Sequence, residues 1–371
     1  MSSVASRSSR EGIHYWKCDR AVPFFGTTRS AEERADVSLM AQVLAVLPGD
    51  LKGGTARLEP AGGQGNHLTY ILHGAGGRNF VRVEDGPERD DYMEVESALL
   101  RHLRAAGVPV PAVLACDATR RHAPFAWHVL EIIDDPDLNT HLKAGGLDGP
   151  AVFAAIGAWI AVWQERVPVH GHGPFDLARL RADGRLSGLA TNARAQYLLN
   201  LDRHLATLVR HGFLEEGESD GIGQTLERGS ALLGDGNPVL VHKDMALWNV
   251  LGRPDTVTAF VDWDDAVGGD ALEDLALLAC FHPAGLVRVA IEAYAVRRPL
   301  PPGWQARFWL HLARNMIVKA VIRAGAGYFD GAGGAFLQGT GGGSALRAFT
   351  KARLRVALDG LRAGRETIDY D

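Results

Sequence analysis

One stretch constrains this chain more than any other. It reads His242-Lys243-Asp244-Met245-Ala246-Leu247-Trp248-Asn249, then a short β-rich run from Val257 to Val261, then Asp262-Trp263-Asp264-Asp265 and Gly269-Asp270-Ala271-Leu272-Glu273-Asp274. Asp and Asn at the ends of short strands are hard oxygen ligands suited to Mg2+, whereas zinc or copper would want converging His or Cys. Phosphoryl transfer uses such a set: one carboxylate to orient a hydroxyl, and an Asn and an Asp to hold Mg2+ on phosphates. The alternative for Asp244, Asn249 and Asp262 is a set of capping and turn residues at strand ends.

Composition narrows the partners. With 39 basic against 44 acidic residues the formal charge is −5, which does not favour a polyanion, so no nucleic-acid partner is expected. No lysine follows a glycine, so the GxxxxGK[ST] phosphate loop is absent. Cys18, Cys116 and Cys280 lie far apart with no CxxC pair, and no apolar run is long enough to span a bilayer. The N-terminus lacks a signal-like apolar stretch, so the expectation is a cytoplasmic protein with no membrane partner. Its oligomeric state is not legible.

The pattern changes along the chain. Residues 1–50 read as an N-terminal extension carrying a helix over 31–46, and residues 51–135 as an N-lobe. There, short β-rich runs at 68–72, 80–83 and 127–132 enclose one amphipathic helix over 91–105. Residues 136–371 read as a mainly helical C-lobe, with apolar stripes over 151–166, 193–209, 272–281, 286–296, 304–324 and 345–363. Two strand signals, 239–242 and 257–261, flank the Asp-rich segment. Residues 324–344 are too glycine-rich for a packed element and read as a mobile loop.

The central segment resembles the catalytic loop of the aminoglycoside phosphotransferase and choline kinase family, a branch of the protein-kinase-like fold. The family pattern HxDxxxxN is matched by His242, Asp244 and Asn249. The family's DWxxAxxGDPxxDLA is matched from Asp262 onward, departing only at Ala271, where proline is usual. The resemblance spans roughly residues 56 to 320. It implies an α+β, two-lobed protein-kinase-like fold, with an antiparallel β N-lobe bearing one helix, a larger helical C-lobe, and ATP (with GTP as the alternative) between them.

It also implies roles. Asp244 would orient the acceptor hydroxyl and accept its proton, and Asn249 and Asp262 would bind Mg2+. Gly63, Gly65 and Asn66 sit where the family places its phosphate-covering turn. The strand 80–83 resembles the one carrying the phosphate cation; no lysine lies between Lys52 and Lys143, so Arg82 takes that place, with Glu96 as its ion-pair partner. Backbone groups at 128–133, including Glu131 and Ile133, would meet the adenine.

The activity expected is phosphorylation of a hydroxyl on a small molecule such as an amine-bearing sugar, antibiotic or amino-alcohol. Rivals are a metabolite kinase with a neutral acceptor, a nucleotide-binding module without turnover, and a phosphohydrolase. A cationic acceptor is favoured because Asp134, Asp135, Asp137, Asp264, Asp265, Asp270, Glu273 and Asp274 lie in segments that hold no Lys or Arg. Among other residues, Lys243 reads as a solvated side chain, His242 as a loop organiser, His170 and His172 as loop residues, and Trp159 and Trp163 as core.

Overall fold

The computed structural model describes residues 14–15, 20, 25–26, 31–61, 67–85, 92–234, 236–331 and 342–371. Gly63, Gly65 and Asn66 lie outside these residues, as does 332–341 of the glycine-rich stretch. The chain divides into two compact units: residues 1–16 with 24–134, and residues 17–23 with 135–371. Among the described residues no helix is long and apolar enough to cross a membrane.

The first unit is built on a five-stranded antiparallel sheet. Its strand order is Arg57–Pro60, His67–Gly74, Gly77–Glu84, Trp127–Glu131, Val113–Asp117. Alternation explains it: along His67–Gly74, Leu68, Tyr70 and Leu72 are buried while the residues between are not, the period-2 signature of a sheet with one covered face. The cover comes from an unexpected place. Leu39, Val43 and Leu47, on and just after the helix Val37–Val46, join Tyr70, Val81, Phe125 and Val129 in one apolar cluster. The helical segment read as part of an extension therefore supplies core to this unit. Asp36 caps it, accepting from the Leu39 amide at 2.9 Å. The helix Tyr92–Ala105 buries Met93, Glu96, Leu99, Leu100 and Leu103 on one stripe. The strand Arg57–Pro60 is short and polar, and Val113–Asp117, apolar in four of its five residues, lacks the period-2 alternation that marks a strand with one covered face.

In the second unit the helices Gly149–Arg166 and Ala284–Arg297 pack closely. A Cβ at Gly157 would come within 1.9 Å of the Ala290 carbonyl oxygen, so only glycine permits that approach. The long helix Trp304–Gly325 packs against Gly343–Ala363. The stripe over 193–209 is two helices, Ala193–Leu198 and Leu201–Arg210, broken at Asn200 with φ +58°. The helix Glu216–Gly229 is hidden in sequence because its four glycines and acidic residues mask its stripe. His172 opens a strand, His172–Phe175, paired with Val267–Gly269 and Gly188–Ala190. Trp163 is wholly buried against Phe260 and Trp263, while Trp159 is only half-buried.

Candidate active site

The catalytic-loop residues are held by hydrogen bonds that can be followed one by one. The strand Val239–Val241 ends at His242, whose ring is buried and lies 4.4 Å, centroid to centroid, from that of Trp263. His242 Nε2 sits 3.0 Å from the Val261 carbonyl oxygen, and Nδ1 lies 3.3 Å from the Asp244 amide that donates to it. One nitrogen must donate and the other accept, so the ring is neutral with the proton on Nε2. Burial pushes its pKa down to about 4, in the same sense. His242 organises the loop, as its sequence position suggests.

Lys243 follows with φ +71°, a conformation L residues adopt reluctantly. The twist aims two successive amides at one carboxylate: His242 N–H and Lys243 N–H donate to Asp274 Oδ2 and Oδ1 at 2.8 and 3.0 Å. Asp274 is fully buried, and burial, opposed by those two bonds, raises its pKa to about 7. The Lys243 side chain is not solvated; it pairs with Glu273 and is only 10% exposed.

Beyond it, the Asp244 carboxylate is gripped from both sides. Asn249 Nδ2 donates to Asp244 Oδ2 at 2.9 Å and to the Asp244 carbonyl at 2.8 Å. Lys319 Nζ, from the helix Trp304–Gly325, donates to Asp244 Oδ1 at 2.6 Å. Burial would raise the Asp244 pKa, but the Lys319 charge and hydrogen bond, with the Asn249 bond, outweigh it and hold the carboxyl below its usual range. Sequence reasoning missed Lys319. It lies 75 residues from its partner, and only its low exposure on a buried helix face marks it.

Asp262 comes to the same place through a hairpin. The strands Val250–Arg253 and Thr256–Phe260 pair with Val250 opposite Phe260, and Val261 N–H donates to the Asn249 carbonyl at 3.0 Å. Asn249 and Asp262 thus flank the open end of one ladder. Asp262 has φ +65° and Lys243 has φ +71°, two of four non-glycine residues with positive φ among those described. Backbone strain gathered at one site is a mark of function, not of packing. Arg20, from the segment read in sequence as an N-terminal extension, is 2% exposed and donates to the Asp264 carbonyl at 2.8 Å, with Asp265 at 3.5 Å.

The donor set fits a hard divalent cation. Because Asn249 spends its Nδ2 on Asp244, its remaining side-chain atom is an oxygen, and Asp262 adds a carboxylate. Mg2+ characteristically takes one or two protein ligands and completes its shell with phosphate and water. No group of three or more His, Cys, Asp or Glu able to hold a metal occurs among the described residues.

In the first unit Arg82 and Glu96 meet. Arg82 Nη1 contacts both Glu96 carboxylate oxygens at 2.8 Å and Nη2 lies 2.8 Å from His67 Nδ1, with both side chains under 10% exposed. Glu131 ends the strand Trp127–Glu131. Its N–H donates to the Ala112 carbonyl at 2.8 Å, and its carboxylate takes Ala112 N–H at 3.0 Å and Arg104 at 3.3 Å. That amide is therefore spent within the unit, and Ile133 beyond it is half-buried.

The carboxylates invoked for a negative field are mostly matched. Asp270 pairs with Arg307 and lies 3.4 Å from His311, while Glu273 pairs with Lys243 and Asp265 with Arg20. Asp134 pairs with Arg78, Asp135 accepts from Thr258, and Asp137 caps a helix. The cations come from elsewhere in the chain, which inspection of the acidic segments alone could not show.

Taken together, the antiparallel first unit, the helical second unit and the Asp244–Asn249–Asp262 constellation define a phosphotransferase with a protein-kinase-like fold. The sequence profile of the phosphotransferase enzyme family (APH) matches residues 57–311, and the chain belongs to that family: it is an enzyme that phosphorylates hydroxyl groups of small molecules. No curated protein matches it in sequence. Among solved structures it is similar to a thermostable mutant of aminoglycoside phosphotransferase APH(4)-Ia in its apo form (TM-score 0.60, 17% identity, covering 89% of this chain and 100% of that one). A further variant of that mutant, in ternary complex with ADP and hygromycin B, matches with TM-score 0.58 and 17% identity over 81% of this chain and 95% of that one. A microcompartment-associated aminopropanol kinase matches with TM-score 0.55 and 17% identity, covering 89% and 98% of the two chains.

Proposed function

We propose that this enzyme transfers the γ-phosphoryl group of ATP to an alcohol on a small amine-bearing acceptor, with Mg2+ held by Asn249 and Asp262. The observation that carries the reading is the Asp244 carboxylate, fixed through one contact on each oxygen by Lys319 and Asn249. A carboxylate has about four lone-pair sites, so capacity remains to accept a hydroxyl proton. ATP as donor is supported by the ADP bound to the similar aminoglycoside phosphotransferase. Mg2+ would supply charge neutralisation at the phosphates.

Asp244 orients the acceptor hydroxyl. The acceptor oxygen forms a bond to the γ-phosphorus as the bridging P–O bond breaks, ADP leaves, and the hydroxyl proton passes to Asp244. A carboxyl held at low pKa is a weak base. It suits a loose transition state, in which the proton moves late and the carboxylate acts mainly by position. Arg82, locked on Glu96, would meet the phosphates.

An amine on the acceptor is supported by the substrates named for similar proteins, hygromycin B and aminopropanol. A second reading, a neutral acceptor, is favoured by the pairing of Asp265, Asp270 and Glu273, which removes most of the expected negative field. The free cysteines, Cys116 and Cys280, suit the reducing cytoplasm in which such an enzyme would work.

The test is ATP consumption, with GTP as control, against a panel of matched cationic, neutral and acidic alcohols. Mg2+-dependent turnover stimulated by an amino alcohol is expected. No stimulation by any alcohol would defeat the proposal, and preference for neutral alcohols would select the second reading.

A further inference from the structure

We infer that Lys319 is a positioning residue of this site: a cation that holds the Asp244 carboxylate in its working orientation and balances its charge. The inference rests on the reading of Asp244 as the group that receives the acceptor hydroxyl. It adds a residue that neither the HxDxxxxN motif nor the downstream Asp-Trp segment contains.

The helix Trp304–Gly325 explains why a lysine there needs a purpose. Its neighbours Met316, Ile317, Ala320 and Val321 are fully buried, and the Lys319 side chain is only 16% exposed. An ammonium group so far removed from water loses hydration and is retained only where a partner replaces it. Its partner is Asp244 at 2.6 Å. On a second side Nζ lies 5.5 Å from the centroid of the Phe281 ring, and Phe281 meets Trp248 of the catalytic loop edge-on at 4.8 Å. The ammonium is therefore fixed by a carboxylate and by an aromatic ring, and that ring is braced by the loop whose aspartate the ammonium holds.

The geometry differs from that of the Arg82–Glu96 pair, in which one guanidinium nitrogen reaches both carboxylate oxygens. Lys319 takes Oδ1 alone, and Asn249 takes Oδ2. Two restraints on different oxygens pin the plane of the carboxylate while leaving lone pairs on each. Without Lys319 only the Asn249 contact would remain, and the carboxylate could turn about its Cβ–Cγ bond. A reacting group displaced by about 1 Å costs on the order of 100-fold in rate, which is the scale expected for losing this restraint.

Turnover of MgATP would be measured in Lys319→Met, Lys319→Arg, Asp244→Asn and the Asp244→Asn/Lys319→Met double variant, with the best alcohol of the panel or with water as acceptor. Lys319→Met should lower kcat by about 10- to 100-fold while KM for ATP stays within about twofold, because the effect passes through the acceptor side. Lys319→Arg, which keeps the charge, should recover much of the rate. The double variant should be no slower than Asp244→Asn alone, since a positioning residue has nothing left to position.

Wild-type kcat in Lys319→Met, or a loss that multiplies with that of Asp244→Asn, would overturn the inference while leaving the Asp244 assignment intact. Wild-type turnover in Asp244→Asn, or none in the parent enzyme, would instead remove the reading beneath it. If Lys319→Met does not fold, Lys319→Arg carries the kinetic arm and thermal unfolding carries the rest. The double variant should then melt above either single neutral variant, because neither charge is left alone. A double variant that melts below Asp244→Asn, with Lys319→Arg as fast as the parent and its ATP affinity reduced, would show that the lysine serves elsewhere.

Discussion

Two of the buried cation–carboxylate pairs, one from each unit, are built for different work. In the first unit Arg82 and Glu96 lie 14 residues apart, their side chains are 9% and 2% exposed, and one guanidinium nitrogen reaches both carboxylate oxygens. In the second, Lys319 and Asp244 lie 75 residues apart, are 16% and 20% exposed, and share one contact. Glu96 spends both oxygens on its partner, and so fixes a cation. Asp244 divides its oxygens between an ammonium and an amide and keeps capacity for a proton. Loss of the first pair should therefore appear in stability and nucleotide affinity, and loss of the second in rate.

The largest effect that sharpens this contrast is Asp244→Asn. It should reduce turnover by about 10²- to 10⁴-fold, the usual worth of a positioned acid–base group, with ATP affinity changed by less than about threefold. Single-turnover kinetics beside ATP titration separate the two quantities. A matching loss in affinity would erase the distinction between the pairs.

Next comes Glu96→Gln, which leaves the Arg82 charge buried without its counter-ion. Breaking one side of such a pair costs about 3–5 kcal/mol, to be read from chemical unfolding of the first unit's tryptophan signal at Trp127. A cost below about 1 kcal/mol would make the pair no better than a surface contact.

Acid should act mainly on the second unit. His242 has a folded pKa of about 4 against an ordinary 6.5, so the unfolded chain binds its proton first. Its stabilising contribution is complete above pH 6.5 and is lost as pH falls toward 4. His282, pushed by burial to about 3, adds a loss of the same sign. Asp274, raised to about 7, runs the other way: its contribution is present below pH 3.8 and is lost as pH rises through 7. With His172, which burial also lowers, three imidazoles against one carboxyl leave a net loss of stability as pH falls from 6.5 to 4. Unfolding midpoints across that range check it, and Asp274→Asn should deepen the fall by removing the opposing group.

The smallest effect is Arg82→Lys. Charge survives but the fork does not, so KM for ATP should rise by about 3- to 10-fold with kcat little changed. A fall in kcat with KM untouched would move Arg82 to the wrong side of the comparison.

How much was legible follows from distance along the chain. His242, Asp244 and Asn249 sit within eight residues, and their spacing alone brings them onto one loop. The Arg82–Glu96 pair is open to sequence reasoning because a strand and the next helix are neighbours along the chain. The backbone and side-chain partners of Glu131 lie beyond such reading. The strand Trp127–Glu131 is where the sequence places it, but which backbone amide stays unspent depends on Ala112, on a strand end that sequence barely marks. Lys243 reads as solvated because nothing beside it demands a charge, and its partner Glu273 lies 30 residues on.

The sequence by itself determined the family, the α+β fold class and the His242-Asp244-Asn249 motif from which the proposed site is read, because those are carried by residue type at fixed local spacing. Tertiary structure alone decided which cations answer which carboxylates. Lys319 reaches Asp244, Arg20 reaches Asp265 and Arg307 reaches Asp270 only because tertiary packing sets them there. Charge pairing acts over a few ångströms of space, and residues tens to hundreds of positions apart acquire that proximity only when the core has closed.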